Sequence, residues 1–213
     1  EYLLYQQELL TYLEEHHPDL GAPRAIPDLH GNTLGEITDE AGYSRKVRLL
    51  SWVEGRLWSD VNPINDGLLY SLGEKCGMLT LALADFEHPK AHRKFEWDLA
   101  QASWCSQYAH LFSREQKDLV LYFQNLYKTF QKDYQVLRKS VMHNDANDNN
   151  VIVSDHMIDP DVVSIIDFGD AIYTQVINDL AIAIAYAVMG KPDVLSAALP
   201  LVKGYHQVHP IQE

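Results

Sequence analysis

The sequence predicts an α+β protein in two lobes, a small lobe with one helix and a short antiparallel sheet and a larger, mostly helical lobe. Apolar residues at helical spacing open the chain, β-branched runs separated by turn residues follow, and long helical patterns fill the second half. The chain has 213 residues, of which 46% are hydrophobic and 22% charged, so it is long enough for one sizeable core or two small ones.

The small lobe is predicted over residues 1–53. Apolar side chains recur at helical spacing through 2–13, which predicts one amphipathic helix. Turn residues then separate two strand-like segments, 34–37 and 46–53, which we expect to pair antiparallel. The polar, proline-containing stretch 59–66 is expected to link the two lobes.

The larger lobe is predicted over residues 54–213. Two β-rich runs, 151–153 and 162–166, flank a turn-prone segment and predict a hairpin. Ser113 and Gln116 form a capping box at the start of a long helical pattern. Helices are expected over the segments 67–85, 97–109, 113–137, 176–189 and 193–205.

Charge and composition exclude several classes of protein. With 17 basic and 30 acidic residues the net charge is −13, the wrong sign for holding a polyphosphate backbone, so no nucleic-acid partner is expected. The longest apolar stretch, 180–189, is about half of the ~20 residues that a membrane span requires, so no membrane partner is expected. Cys76 and Cys105 lack Cys-x-x-Cys spacing, which favours a reduced, cytoplasmic chain with both thiols in the core.

The polar residues of the predicted hairpin are concentrated at its outer ends, in segments 143–150 and 167–170. Because an antiparallel hairpin returns to the end at which it starts, Asp145, Asn150 and Asp167 should lie close together. Two carboxylates about 4 Å apart repel by ~4 kcal/mol at an effective dielectric constant of ~20, so such a cluster requires a cation or a raised pKa. Carboxylate and amide oxygens without a thiolate favour Mg²⁺.

The order of these residues is more specific than their composition. His143-x-Asp145-x-x-x-x-Asn150, a strand pair and then Asp167-Phe168-Gly169 is the order that phosphoryl transfer in kinases uses. An EF-hand loop is excluded, because Asn150 stands where that loop requires Gly and His156 where it requires Glu. A solvated Asn/Asp turn is the other interpretation of the first motif, and the second motif at the correct distance makes it the weaker one.

On these motifs the sequence resembles the aminoglycoside phosphotransferase and choline kinase superfamily, small-molecule kinases with a protein-kinase-like two-lobed fold. The resemblance covers nearly the whole chain: the opening helix resembles the family's long small-lobe helix, 47–55 (VRLLSWVEG) its hinge strand, and 178–181 (NDLA) the start of one of its helices. Segments 48–56, 166–170 and 204–210 are most similar to hydroxylysine kinases and to the kinase-like domain fused ahead of class III aminotransferases.

The resemblance implies roles for individual residues. Asp145 would orient the acceptor hydroxyl and take its proton, while Asn150 and Asp167 would hold Mg²⁺ against the ATP phosphates. Backbone groups of Leu50, Ser51 and Trp52 would receive the adenine. His143 would support the catalytic loop, and Asp179 would anchor it by hydrogen bonds. Asp170 has two interpretations that the sequence leaves open, a contact to a cationic substrate or the cap of a turn.

The sequence departs from the family's pattern at two places. Asn144 stands where the family usually has Gly. The family's phosphate-covering hairpin and its ATP-pairing Lys precede the first helix, so we expect a truncated small lobe, and a truncated C-terminal end as well. In the family, an acid of the first helix pairs with that Lys. The sequence does not decide whether Glu1, Gln6 or Glu8 occupies this position. We expect the segment by itself to bind ATP weakly and to bury the open face of its small lobe against another domain or chain.

The expected function is that of a kinase dependent on ATP and Mg²⁺, with a small-molecule amino alcohol such as hydroxylysine as the acceptor. The alternative is a non-catalytic kinase-like domain that binds a metabolite or packs inside a larger multidomain enzyme. Asp145, Asn150 and Asp167 favour the kinase, because a binding module has no chemical need for all three. A fused or adjacent enzyme domain and a homo-oligomer are both compatible with the resemblance.

Overall fold

The structure is a computed structural model that describes residues 1–212. These residues form an α+β fold, as predicted, with five α-helices and nine short strands. The helices are α1 Tyr2–His16, α2 Asp66–Leu83, α3 Arg114–Gln135, α4 Ile177–Ala187 and α5 Val194–Val208. The strands are β1 Ala25–Ile26, β2 Gly35–Thr38, β3 Ser44–Val47, β4 Leu49–Leu50, β5 Arg56–Leu57, β6 Lys139–Met142, β7 Val151–Val153, β8 Val162–Ile165 and β9 Ile172–Gln175.

The first part of the chain combines α1 with two separate two-stranded antiparallel sheets, β2–β3 and β1–β4. Helix α1 buries Tyr5, Leu9, Leu10 and Leu13, which confirms the predicted amphipathic helix. The predicted strand 46–53 is wrong as one element, because the chain changes partner at Arg48 and leaves the strand conformation after Leu50. Strand β1 is missed by the sequence pattern, since its two residues lie between prolines that indicate a turn.

Helix α2 is the centre of the larger part of the fold, and it packs along α5 as well as against α4 and β8. The two helices approach so closely that their contact requires glycine. A Cβ atom on Gly73 would overlap the carbonyl oxygen of Leu201, and one on Gly204 would overlap the carbonyl oxygen of Tyr70. The first turn of α2 is capped by Asn65, whose side chain accepts from the N–H of Leu68 at 2.8 Å.

The predicted hairpin is confirmed. Strands β7 and β8 pair antiparallel, with Val151 opposite Ile165 and Val153 opposite Val162, and β5 extends this sheet on the other side of β7. Strands β6 and β9 form another antiparallel pair that the sequence pattern misses. Each has four residues and its partner lies about thirty residues away, so no local turn signal connects them.

The segment between α2 and α3 differs from its prediction. Residues Leu99–Leu111 are helical, but they form a 3₁₀ helix instead of the expected α-helix over 97–109. Only Ala109 of this segment is buried, so no apolar stripe at 3.6-residue spacing stabilises an α-helix there. The core-thiol interpretation is confirmed for Cys76, which is buried, and is wrong for Cys105, which lies half-buried in the 3₁₀ segment.

The capping box at Ser113 is present, with reciprocal hydrogen bonds to Gln116. Within residues 1–212, no helix is both long enough and apolar enough to cross a lipid bilayer.

Candidate active site at the outer end of the hairpin

The outer end of the β7–β8 hairpin brings the two motif segments together. The N–H of Ile166 donates to the carbonyl of Asn150 at 2.8 Å, which joins the residue before Asp167 directly to the end of the first loop. The buried side-chain amide of Asn150 donates to a carboxylate oxygen of Asp145 at 2.8 Å and to the Asp145 carbonyl at 2.9 Å. Asp145, Asn150 and the turn that begins at Asp167 therefore share one end of the hairpin.

The carboxylate of Asp145 is held by two amides. Asn147 Nδ2 donates to Oδ1 at 2.9 Å, and Asn150 Nδ2 donates to Oδ2 at 2.8 Å. Amide donors fix the orientation of a carboxylate without cancelling its charge. The side chain of Asp145 is thus oriented and still able to accept a proton or attract a cation.

Asp167 begins a short 3₁₀ turn, Phe168–Asp170, with a left-handed backbone at φ 63°. This conformation is uncommon for a residue other than Gly, and such residues cluster at functional sites. Oδ1 of Asp167 accepts from the N–H of Gly169 at 3.1 Å, so Asp167 caps this turn and Asp170 does not.

His143 connects the two segments from inside the fold, where it is fully buried. Its Nε2 lies 2.9 Å from the carbonyl oxygen of Ile166, and its Nδ1 accepts from the N–H of Asp145 at 3.2 Å. An imidazole with its proton on Nε2 satisfies both contacts. The ring also packs edge-on against Phe168, so His143 contacts both motifs.

Asn144 has φ 67°, the left-handed region in which Gly has no steric penalty. This backbone conformation explains why the resemblance leads one to expect Gly at this position. Asn is among the few other residues that enter this region readily, so the loop keeps its geometry. The N–H of Asn144 donates to Oδ1 of Asp179, which stabilises this backbone conformation.

Asp179, in the first turn of α4, anchors the loop as the resemblance implies. It is almost fully buried; Oδ1 accepts from the N–H of Asn144 at 2.7 Å and Oδ2 from the N–H of His143 at 3.1 Å. Burial raises the pKa of this carboxyl, while the neighbouring His143 and the two N–H donors oppose the rise. The carboxylate therefore satisfies two buried donors that have no other partner.

Removal of this anchor has a predictable cost. We expect Asp179→Ala to lower the free energy of unfolding by about 2–6 kcal/mol, because each of two buried N–H groups left unpaired costs about 1–3 kcal/mol. Urea denaturation monitored by circular dichroism measures the loss. Asp193→Ala is the matched control, since Asp193 also accepts a backbone N–H at a helix start but lies in solvent, and it should cost less. Equal losses for the two variants would contradict the anchoring role.

A pocket of 450 Å³, which we call the acidic pocket, opens beside the first motif segment. Asp145 and Asp170 line it together with the aromatic side chains of Trp97 and Tyr186. Burial raises the pKa of Asp170, and the carboxylates of Asp145 and Asp167 add to the rise, while Arg93 opposes it. The sequence pattern does not indicate Tyr186 as part of a site, because this residue is far from the motifs along the chain.

A second cavity of 440 Å³, the hinge cleft, lies on the side of Asp167. Leu50, Ser51 and Trp52, the residues expected to receive a base, all line it. The N–H of Ser51 donates to the carbonyl of Arg24, so it is already committed. Within residues 1–212 the N–H groups of Trp52 and Val53 make no hydrogen bond, and both residues line the cleft.

The structure distinguishes the three candidates for the α1 residue that would pair with the family's Lys. Glu1 pairs with Lys90, and Glu8 lies 3.0 Å from His88 Nε2, both away from the cleft. Gln6 lies close to Gly169, since a Cβ built there would be 4.0 Å from Gln6 Nε2. The helix position next to the Asp167 turn is thus occupied by a neutral amide.

The donor set of the site fits a hard divalent cation. No group of three or more His, Cys, Asp or Glu side chains in the described part of the chain is placed to hold a metal ion by itself. Mg²⁺ seldom uses such a cage, since it is bound by one or two carboxylates, waters and substrate phosphates. The side chains of Asn150 and Asp167 each carry an oxygen of the type that such a cation binds.

Comparison of the sequence with known proteins finds phosphotransferases, the class of enzyme that the site residues indicate. Residues 1–210 match the sequence profile of the phosphotransferase enzyme family. The hydroxylysine kinase of Danio rerio is 27% identical over 224 residues, which cover 98% of this chain and 61% of that protein; the chain thus spans about three fifths of this relative. A hydroxylysine kinase from Mus musculus is 26% identical over 84% of this chain and 51% of that protein.

A solved structure gives the same fold. The microcompartment-associated aminopropanol kinase superposes with a TM-score of 0.75 at 19% identity, over 99% of this chain and 66% of that one. The match of the family profile to nearly the whole chain, together with the kinase-like fold, shows that this chain belongs to the phosphotransferase enzyme family.

Proposed function

We propose that this chain is the nucleotide-binding and catalytic part of an ATP-dependent kinase that phosphorylates a hydroxyl group of an amino-bearing metabolite, such as hydroxylysine. One observation carries the proposal: Asp145, oriented by Asn147 and Asn150, lines the acidic pocket, while Asp167 at the same hairpin end lines the hinge cleft. Phosphoryl transfer needs this arrangement, with a nucleotide on one side and an acceptor on the other.

Asp145 is the proposed catalytic base. An acceptor hydroxyl in the acidic pocket would lie against its carboxylate, which would orient the hydroxyl and take its proton as the oxygen attacks. His143 and Asp179 act indirectly, because they hold the backbone of the loop that carries Asp145.

Asn150 and Asp167 are the proposed ligands of Mg²⁺, and backbone groups from Leu50 to Trp52 are the proposed contacts of the adenine. When bound, Mg²⁺ neutralises charge on the phosphate oxygens and orients them for transfer. The N–H of Trp52, which has no hydrogen-bond partner among the described residues, and the apolar lining of the hinge cleft suit a flat base with polar edges.

Asp170 is the proposed contact for the amine of the acceptor. Its carboxylate lines the acidic pocket with Asp145, and the aromatic side chains of Trp97 and Tyr186 that also line it suit a cation. The raised pKa means that Asp170 loses its charge at a higher pH than an ordinary Asp. Amine affinity should therefore fall as the pH drops through this raised pKa. The names of the relatives support this class, since hydroxylysine and aminopropanol each carry an amine and a hydroxyl.

The test is ADP release by the full-length protein with Mg²⁺ and ATP, followed in a coupled assay. Hydroxylysine should support turnover, and lysine, which differs only in the missing hydroxyl, should not. Asp170→Asn should raise the KM for hydroxylysine about 10-fold or more with a much smaller change in kcat, because it removes a charged partner of the amine. Asp155→Asn, an exposed acid at the other end of the hairpin, is the control for net charge.

Two results would contradict the proposal. Nucleotide binding without transfer to any amino alcohol would identify a non-catalytic domain. Equal ADP release with lysine and hydroxylysine would exclude the hydroxyl as the acceptor group.

A further inference from the structure

Arg48 lies between β3 and β4 and lines the hinge cleft together with Leu50 and Asp167. Its side chain is half-buried. The sequence resemblance assigns no role to this residue. Because Arg48 lines the cleft in which the nucleotide is proposed to bind, its side chain is placed to contact a ligand there.

The guanidinium of Arg48 is held by two amides of α1. Its Nη1 donates to Gln6 Oε1 at 2.7 Å and lies 3.4 Å from Gln7 Oε1. Both glutamines are buried, and Gln7 is fixed in turn because its Nε2 donates to the carbonyl of Thr33 at 2.7 Å. The direction of the Arg48 side chain is thus set by contacts forty residues away along the chain.

These contacts orient the guanidinium and leave its charge uncompensated. Amide oxygens accept hydrogen bonds but carry no net charge. Within residues 1–212 no carboxylate lies within ion-pair distance of Arg48, in contrast to Arg45 with Asp39 and Arg24 with Glu14. Nε and Nη2 of Arg48 also make no hydrogen bond to the described residues, so most of its donors are free.

The charged side chains around Arg48 are acidic, which makes its positive charge important for binding an anion. Asp167 is the other charged side chain that lines the hinge cleft, Asp145 and Asp170 lie next to it, and the chain as a whole carries −13. A nucleotide brings further negative charge to this place. A planar guanidinium with free donors matches the oxygens of a phosphate in a two-pronged contact.

We propose that Arg48 is a phosphate contact of the bound nucleotide, positioned by Gln6 and Gln7. This inference rests on the proposed function, since it assumes a nucleotide in the hinge cleft. Gln6 hydrogen-bonds Arg48 and lies near Gly169, so the cation and the turn that begins at Asp167 are neighbours of the same residue of α1.

The experiment is titration calorimetry of the full-length protein with adenosine, ADP and ATP, the last two with Mg²⁺. Arg48→Gln should weaken ATP and ADP about 10- to 100-fold and leave adenosine within about 2-fold, because a charged hydrogen bond to phosphate is lost. Arg48→Lys should weaken ATP by a smaller factor of about 3 to 10, since it keeps the charge without the planar fork. Arg45→Gln, an exposed cation of the same strand pair, is the control for net charge.

The following results would contradict the proposed role of Arg48. Equal weakening of adenosine and ATP in both Arg48 variants would mean that the residue only maintains the shape of the cleft, and unchanged ATP affinity would mean that it makes no contact. If Arg48→Gln does not fold, Arg48→Lys decides by the same ratio of ATP to adenosine affinity. A wild-type protein that binds none of the three ligands would overturn the proposed function as well, whereas normal wild-type binding with insensitive variants overturns the role of Arg48 alone.

Discussion

Asp167→Ala is expected to reduce phosphoryl transfer by about 10³-fold or more, because a metal ligand that stabilises phosphate charge contributes several kcal/mol to the transition state. The same change should remove most of the Mg²⁺ dependence of ATP binding. Asp167 lines the hinge cleft, and one of its carboxylate oxygens accepts from Gly169, which leaves the other for a cation. Coupled ADP release and calorimetry with and without Mg²⁺ measure the two effects.

Adenosine binding provides the internal control for Asp167→Ala, since adenosine carries no phosphate and should bind as it does to the wild type. Asp155→Ala removes an equal charge from the turn at the opposite end of the hairpin and should change neither measurement. Retained Mg²⁺-dependent ATP binding in Asp167→Ala would show that the metal is held elsewhere.

Asp145→Asn is expected to lower kcat about 10²- to 10⁴-fold, the usual contribution of a general base. The affinity for ATP should stay within about 2-fold, because Asp145 lines the acidic pocket instead of the hinge cleft. Asparagine keeps the size of the side chain and one oxygen that can accept from Asn150, but it cannot take the proton of an acceptor hydroxyl.

The separation of kcat from nucleotide affinity is the measurement that tests Asp145, by steady-state kinetics with saturating hydroxylysine and by calorimetry with ATP. Asp155→Asn again controls for charge. If Asp145→Asn instead lost ATP binding and kept its rate per bound complex, the roles proposed for Asp145 and Asp167 would be reversed.

The parts of this structure that follow from local patterns were predictable. Helix α1 follows from apolar spacing, α3 from the capping box at Ser113, and the β7–β8 hairpin from two β-rich runs around a turn. The hairpin then places the motif residues, since its geometry alone brings its two ends together. This is why Asp145 and Asn150 could be expected at one site before any coordinates were known.

Features that depend on distant partners were not predictable. The β6–β9 pair joins segments about thirty residues apart, and the contact of Arg48 with Gln6 spans 42 positions. No local pattern in either segment indicates its partner, because the contact results from how α1 packs on the sheets. The sequence left Gln6 as one of three candidates, and only the packing of α1 separates it from Glu1 and Glu8.

The close crossing of α2 and α5 has a consequence for the synthesis of the chain. Gly73 and Gly204 fit together across an interface whose two sides are roughly 130 residues apart. At a translation rate of ~5–20 residues per second, α2 leaves the ribosome roughly 6–26 s before α5. During this interval α2 has no partner for the face that carries Gly73. The core of the larger part of the fold therefore closes only after α5 has left the ribosome, and until then the face of α2 that carries Gly73 stays exposed.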